Sequence, residues 1–319
     1  ILFLVISVSC GYVIGARSAG GFSEGEVHED QASNLFTNPL LDCNLGESIA
    51  NTGIFPSKSA LESLIAKEKA TGDITFASLY YRDLNNGPWF GISTDEKFYP
   101  ASLMKVPLSI YFYKKSESHP GLLNVPIDLS KIKLPVRTVG QYFIPEVRVD
   151  QNKTYTVQQL IESALKYSDN EAADYLVSQM EVDGFKHLFR NLLVDFPLTG
   201  DDDYITVKQY ATFFRVLYNS SYLSRENSEA LLGLLSETTF NRGLTKYLPP
   251  TLKVSHKFGE KTSDDPQRNQ IHDCGVVYIP QHPYLLCMMT RGANKDNMAE
   301  SIARMSKLVY DEMMSKVIR

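Results

Sequence analysis

The order of secondary-structure signals constrains this chain more than any other feature. Ile74-Thr75-Phe76-Ala77-Ser78-Leu79-Tyr80-Tyr81 is β-branched and aromatic. Asn85-Asn86-Gly87 is a turn signal, and Trp89-Phe90-Gly91-Ile92 returns as the second arm of a hairpin. Strands recur only near the end, over Leu252 to Phe258, Cys274 to Ile279 and Tyr284 to Thr290, the last two joined around Pro280-Gln281-His282-Pro283. The long middle region reads as helical. Thr156-Val157-Gln158-Gln159 and Thr206-Val207-Lys208-Gln209 are capping boxes, each opening an apolar stripe at helical spacing. Ser59-Ala60-Leu61-Glu62 caps a helix ahead of the hairpin that ends near Gly72, and Asn297-Met298-Ala299-Glu300 caps a last helix with Met298, Ile302, Met305, Val309 and Met313 on one face. Helix, two strands, helical block, three strands, helix predicts an α+β fold: an antiparallel sheet flanked by N- and C-terminal helices, plus a mostly helical subdomain.

The first 15 residues, ILFLVISVSCGYVIG, are almost wholly apolar and read as a secretory hydrophobic region or a membrane anchor. Cys10 is either a lipid-attachment site or an ordinary membrane residue. Residues 16–55 are small, polar and acidic at first, without sustained period, and read as a flexible linker. The folded domain is expected over 56–319, outside the cytoplasm, tied to a membrane if the first segment is retained. A net charge of −5 with no basic stripe argues against a nucleic-acid partner.

Tyr99-Pro100-Ala101-Ser102-Leu103-Met104-Lys105 carries the first chemical signal. Ser-x-x-Lys occurs again at Ser130 and Ser163, but there a polar stretch and an amphipathic helix account for both residues. Ser102 instead opens a long apolar helix. Unpaired backbone N–H groups at a helix start favour negative charge, and Lys105, one turn on, reaches the serine hydroxyl from the same face. Serine is a weak nucleophile until a neighbour takes its proton, which a desolvated lysine does. A capping serine beside a snorkelling lysine is the alternative reading of this pair alone.

Two more motifs follow in order: Tyr167-Ser168-Asp169-Asn170 after the capped helix, and Val254-Ser255-His256-Lys257-Phe258-Gly259 on the first late strand. With these three the chain resembles the penicillin-recognising serine enzymes, and most closely the class A β-lactamase catalytic domain, over about residues 56–319. The resemblance implies an acyl-enzyme on Ser102, with Lys105 as its base or proton relay and with Ser168 bridging Lys105 or Lys257 to the leaving nitrogen to carry the proton across. It implies that Asn170 holds the substrate's acyl amide, that Lys257 adds positive potential, and that Asp169 ties down its turn. It also implies that Gly259 belongs to the substrate-binding residues and that the N–H groups of Ser102 and Glu260 form the oxyanion hole. No metal or organic cofactor is implied. The expected partner is a small-molecule or peptidoglycan-peptide substrate.

Three departures bear on the substrate. The family's deacylating glutamate is missing: no Glu stands between Glu181 and Glu226, leaving Asp201, Asp202 and Asp203 either as substitutes or as solvated turn residues. Phe258 replaces the usual hydroxyl residue that binds the substrate carboxylate. Cys274 stands where many class A enzymes have a carboxylate-binding Arg, for which Arg291 is the candidate substitute. Cys274 and Cys287 flank their turn almost symmetrically and read as a cross-strand disulfide or as two buried thiols. His282, at the turn tip, is about 20 Å from Cys274 at ~3.3 Å per residue, too far to share a metal with it. The sequence therefore predicts a serine hydrolase that acylates readily and deacylates slowly. A penicillin-binding peptidase is the runner-up, and a weakly catalytic wall- or partner-binding domain, supported by Phe258, is the third reading.

Overall fold

The computed structural model describes residues 35–38, 56–85, 87–134, 140–196 and 203–317. The apolar segment 1–15, Cys10, Cys43, Asp201 and Asp202 lie outside them. Among the described residues no helix is long and apolar enough to cross a membrane.

A five-stranded sheet is the frame, built from β1 (Phe76–Asp83), β2 (Trp89–Ile92), β7 (Val254–Lys261), β8 (Asn269–Val277) and β9 (Tyr284–Gly292). Its order is β2-β1-β9-β8-β7, with every neighbour antiparallel. The hairpin thus joins the late strands through β1 and β9, and β7 is left as a free edge. One face is covered by helix α1 (Lys58–Ala70) and the last helix, α8 (Lys295–Val317). Leu61, Ile65, Met298, Ile302, Met305, Val309 and Met313 pack there against Leu79, Ile271 and Met288. Each such side chain stabilises the layer by about 1.5–3 kcal/mol on burial. Buried Glu68 cross-links the two helices, accepting from Ser301 Oγ at 2.6 Å and Arg304 Nε at 2.8 Å.

The other face carries the helical part. Helix α2 (Lys105–Ser118) packs among α3 (Val157–Lys166), α4 (Asn170–Ser178), α5 (Val182–Asn191) and α7 (Arg225–Leu235), while α6 (Val207–Tyr218) lies against β1, β8 and β9. Three short strands serve the loops: β3 (Lys97–Phe98) pairs with β6 (Ile205–Thr206), and β4 (Pro126–Asp128) with β5 (Thr154–Thr156).

Local signals and structure differ in instructive places. The boxes at Thr156 and Thr206 form, each hydroxyl accepting from the third residue's N–H at 3.1 Å. The first helix is capped by Ser57, not Ser59, because Ser57 is held from outside: its N–H donates to Glu312 of α8 while its Oγ accepts from Ala60. The last helix begins at Lys295, with the Asn294 side chain accepting from Asn297 N–H at 3.1 Å. Four residues from the stretch read as a linker, 35–38, are seated on α7. Phe36 and Thr37 donate their N–H groups to the two oxygens of Glu229, at 2.7 and 2.8 Å.

Candidate active site

Two strained turns deliver the functional side chains. Ala101, just before Ser102, and Ser168 have φ of +51° and +58°, the left-handed region that costs a non-glycine residue roughly 1–2 kcal/mol. Neighbours hold the first turn in place: buried His272 donates from Nε2 to Tyr99 O at 3.0 Å, and Gln270 accepts from Tyr99 N at 3.1 Å. Burial pushes the His272 imidazole down to about 4, so it is neutral at pH 7 and its donation to a carbonyl places the proton on Nε2. The second turn is held by Asp169, as its sequence position implied. Its carboxylate accepts from Glu171 N, Val149 N and Ser163 Oγ at 2.9, 2.8 and 3.2 Å.

These turns and strand β7 bring five of the predicted residues into one network of hydrogen bonds. Lys105 Nζ lies 3.0 Å from Ser102 Oγ, 3.3 Å from Ser168 Oγ and 2.7 Å from Asn170 Oδ1. Lys257 Nζ lies 2.8 Å from Ser168 Oγ on the other side. Ser168 is therefore placed between two lysines, both buried. Burial is the largest influence on Lys257 and pushes its ammonium down to about 7, while Asp273 and Glu260 pull it up. Near pH 7 it both gives and takes a proton.

Gly259 is where β7 touches the serine turn. A Cβ there would sit 2.7 Å from Pro100 O and 3.1 Å from Leu103 N, so only glycine permits the approach. Phe258 O accepts from Lys257 Nζ at 3.0 Å, off the free edge of the sheet. Backbone groups alternate along a strand, so Glu260 N–H, two residues on, points the same way, beside Ser102. Two N–H donors facing one point can stabilise an oxyanion. The Glu260 side chain also acts outside the sheet: it accepts from Tyr142 N and Phe143 N at 3.0 and 3.1 Å and pairs with buried Lys295 at 3.3 Å. It fixes the 140–143 segment over the site, from which Gln141 Nε2 donates to Ser168 O at 3.0 Å. That segment has no periodicity or motif, so Gln141 carried no sequence signal.

Two sequence candidates are placed elsewhere. Arg291 does not line the Ser102 cavity. Its guanidinium donates to Glu96, Lys97 O and Asp203 and covers the Phe98 ring at 4.4 Å, so it locks β3 rather than facing substrate. Asp203, its partner at 3.0 Å, also accepts from Gln270 at 2.8 Å. Burial works to raise the Asp203 carboxyl, but these hydrogen bonds outweigh it and hold the group below its ordinary value. The Phe258 ring stacks on Phe240 with centroids 3.8 Å apart, 4.2 Å from Lys257 Nζ. It forms part of an aromatic cleft with Tyr142, Phe143 and Arg242. Of the two cysteine readings the structure has the disulfide, with Cys274 and Cys287 directly opposite in register.

The sheet, its helices and this site define a β-lactamase-type serine hydrolase domain. Residues 56–313 match the model of the β-lactamase enzyme family, and the chain belongs to that family. A β-lactamase of Bacteroides uniformis is 24% identical over 280 residues, covering 80% of this chain and 90% of its own. The solved class A β-lactamase of Bacteroides cellulosilyticus superposes with a TM-score of 0.68 at 18% identity, over 81% of this chain and 98% of its own. The structure of PBP-A superposes at 0.64, also with 18% identity, over 82% and 97%.

Proposed function

We propose that Ser102 is the nucleophile of an extracytoplasmic acyl-transfer enzyme acting on β-lactams or on D-Ala-D-Ala-like amides. The observation that carries this reading is the unbroken hydrogen-bond path from Ser102 through Lys105 and Ser168 to Lys257, with steps of 3.0, 3.3 and 2.8 Å. Neutral Lys105 takes the Ser102 proton as Oγ attacks the amide carbonyl. The backbone N–H groups of Ser102 and Glu260 receive the developing oxyanion. Ser168 hands a proton from Lys257 to the leaving nitrogen as the C–N bond breaks, and Asn170 positions the acyl amide.

Release of the acyl group is the slow step, since Asp203 is committed to Arg291 and Gln270. That favours a penicillin-binding peptidase of peptidoglycan as the second reading. The test is to supply a β-lactam and, separately, an acylated D-Ala-D-Ala peptide, and to follow β-lactam opening and D-Ala release. Stoichiometric β-lactam opening with slow turnover is the expected result, and peptide cleavage would select the peptidase. Absence of both reactions, β-lactam opening and peptide cleavage alike, would refute the proposal.

A further inference from the structure

Two cavities border the turn that carries Ser168. One, of about 360 Å³, opens on Ser102 and Lys105 and reaches the turn through Asn170. The other, of about 550 Å³, is the aromatic cleft, and its lining includes Tyr167 and Phe258, the chain neighbours of Ser168 and Lys257. Lys257 Nζ stands at the boundary, 2.8 Å from Ser168 Oγ and 4.2 Å from the centre of the Phe258 ring. An amide whose acyl side lies by Asn170 and whose nitrogen faces Ser168 therefore extends its leaving portion toward the cleft. There the stacked Phe240 and Phe258 rings form a floor, and Phe143 meets both edge-on, with centroids 5.2 and 5.9 Å away. The half-exposed Tyr142 ring is fixed through its hydroxyl, which donates to Asp296 at 2.6 Å. The charges of the cleft do not suit an anion: Arg242 pairs with Asp296 at 3.0 Å and covers the Phe143 ring, and Glu146 adds a second carboxylate. A further ring, by contrast, finds both faces and edges to pack against.

We propose that this cleft is the leaving-group subsite and that it selects substrates whose leaving portion carries an aromatic ring. This deepens the reading of Ser102 as nucleophile and rests on it. Phe258 gives up the hydroxyl that would bind a carboxylate and puts an aromatic surface in its place. A ring held there keeps the leaving nitrogen close to Ser168 Oγ, which protonates it, so the binding is expressed in the rate of acylation. The acyl side of the substrate, in the other cavity, does not share in the preference.

Nitrocefin and cephalothin share a thienylacetyl acyl group and a carboxylate, and differ in the substituent on the leaving side, a dinitrostyryl ring in the first and an acetoxymethyl group in the second. The test measures the second-order rate constant of acylation by each, from protein mass, in wild type, Tyr142→Ala and Phe240→Leu. The nitrocefin-to-cephalothin ratio should fall roughly three- to tenfold in each variant, the size of one lost ring–ring contact. Damage to the catalytic groups slows both probes alike and leaves the ratio in place. Tyr142→Ala, at a half-exposed position whose backbone bond to Glu260 survives the change, decides alone if Phe240→Leu does not fold. A ratio within about twofold of wild type in a folded variant would overturn the subsite and leave Ser102 standing. No acylation of the wild type by either probe would overturn both readings together.

Discussion

Replacing Gly259 with alanine tests how closely the oxyanion site depends on contact between strand and serine turn. The new Cβ would lie 2.7 Å from Pro100 O, 3.0 Å from Leu103 Cγ and 3.1 Å from Leu103 N. Nonbonded carbons settle at about 3.5–4.0 Å, so β7 and the turn must separate by roughly 0.5–1 Å. None of the three contacts is the end of a flexible chain; two are backbone atoms and the third is the branch point of buried Leu103. Overpacking of this kind costs about 1–3 kcal/mol, which lowers Tm by about 2–4 °C per kcal/mol in a domain near this size. The displacement falls on the Ser102 and Glu260 N–H groups together. Misplacement near 1 Å costs about 100-fold in rate, and loss of one oxyanion donor about 100- to 1000-fold. The acylation rate constant from quenched-flow mass spectrometry should therefore fall about 100-fold while the variant remains folded by calorimetry. Acylation within about threefold of wild type, with Tm lowered as expected, would show that the strand does not supply the donor.

Other consequences follow from the same geometry. Ser168 draws its proton from Lys257, so acylation should fall as pH rises through about 7, and Lys257→Met should lower the rate and remove that limb from the pH profile. The stability sign is opposite: between about 7 and 10.5 the unfolded chain holds a proton on this lysine that the folded chain has lost, so its burial destabilises less as pH rises through that window. Lys257→Met should flatten that rise in Tm, measured by calorimetry across pH. Phe240→Ala and Phe258→Ala should be less than additive, with a coupling of about 0.5–1.5 kcal/mol from the stacked rings in a denaturant double-mutant cycle. Cys287→Ser opens a link between residues 13 apart in sequence. It should lose about 2–3 kcal/mol of stability, and reductant should lower the wild-type Tm but not that of the variant.

What could be read from the sequence was mainly local or motif-borne. The caps at Thr156 and Thr206 were legible because hydroxyl and glutamine lie within one turn of each other. Ser57 was not, because a bond to Glu312, at the far end of the chain, selects it over Ser59. The late strand was expected over Leu252 to Phe258 and runs over Val254–Lys261, since cross-strand pairing carries it through Glu260 and Lys261 despite their charge. Ser102, Lys105, Ser168 and Lys257 were found from three short motifs, and the fold brings them within hydrogen-bond distance. Partnerships between distant segments were hidden. Arg291 and Asp203 are 88 residues apart, and nothing in either neighbourhood marks them as a pair. The near-symmetry of Cys274 and Cys287 about their turn left a disulfide and two buried thiols open, and the sheet register sets the two directly opposite.

The central claim is the identity of the nucleophile, and mapping the site of acylation tests it most directly. The chain and its Ser102→Ala variant would be exposed to penicillin G, digested, and the modified peptide sequenced by mass spectrometry. The account predicts one adduct, on Ser102 in the peptide that contains Lys105, and none in the variant. An adduct on any other residue, or an unchanged adduct in Ser102→Ala, would contradict it.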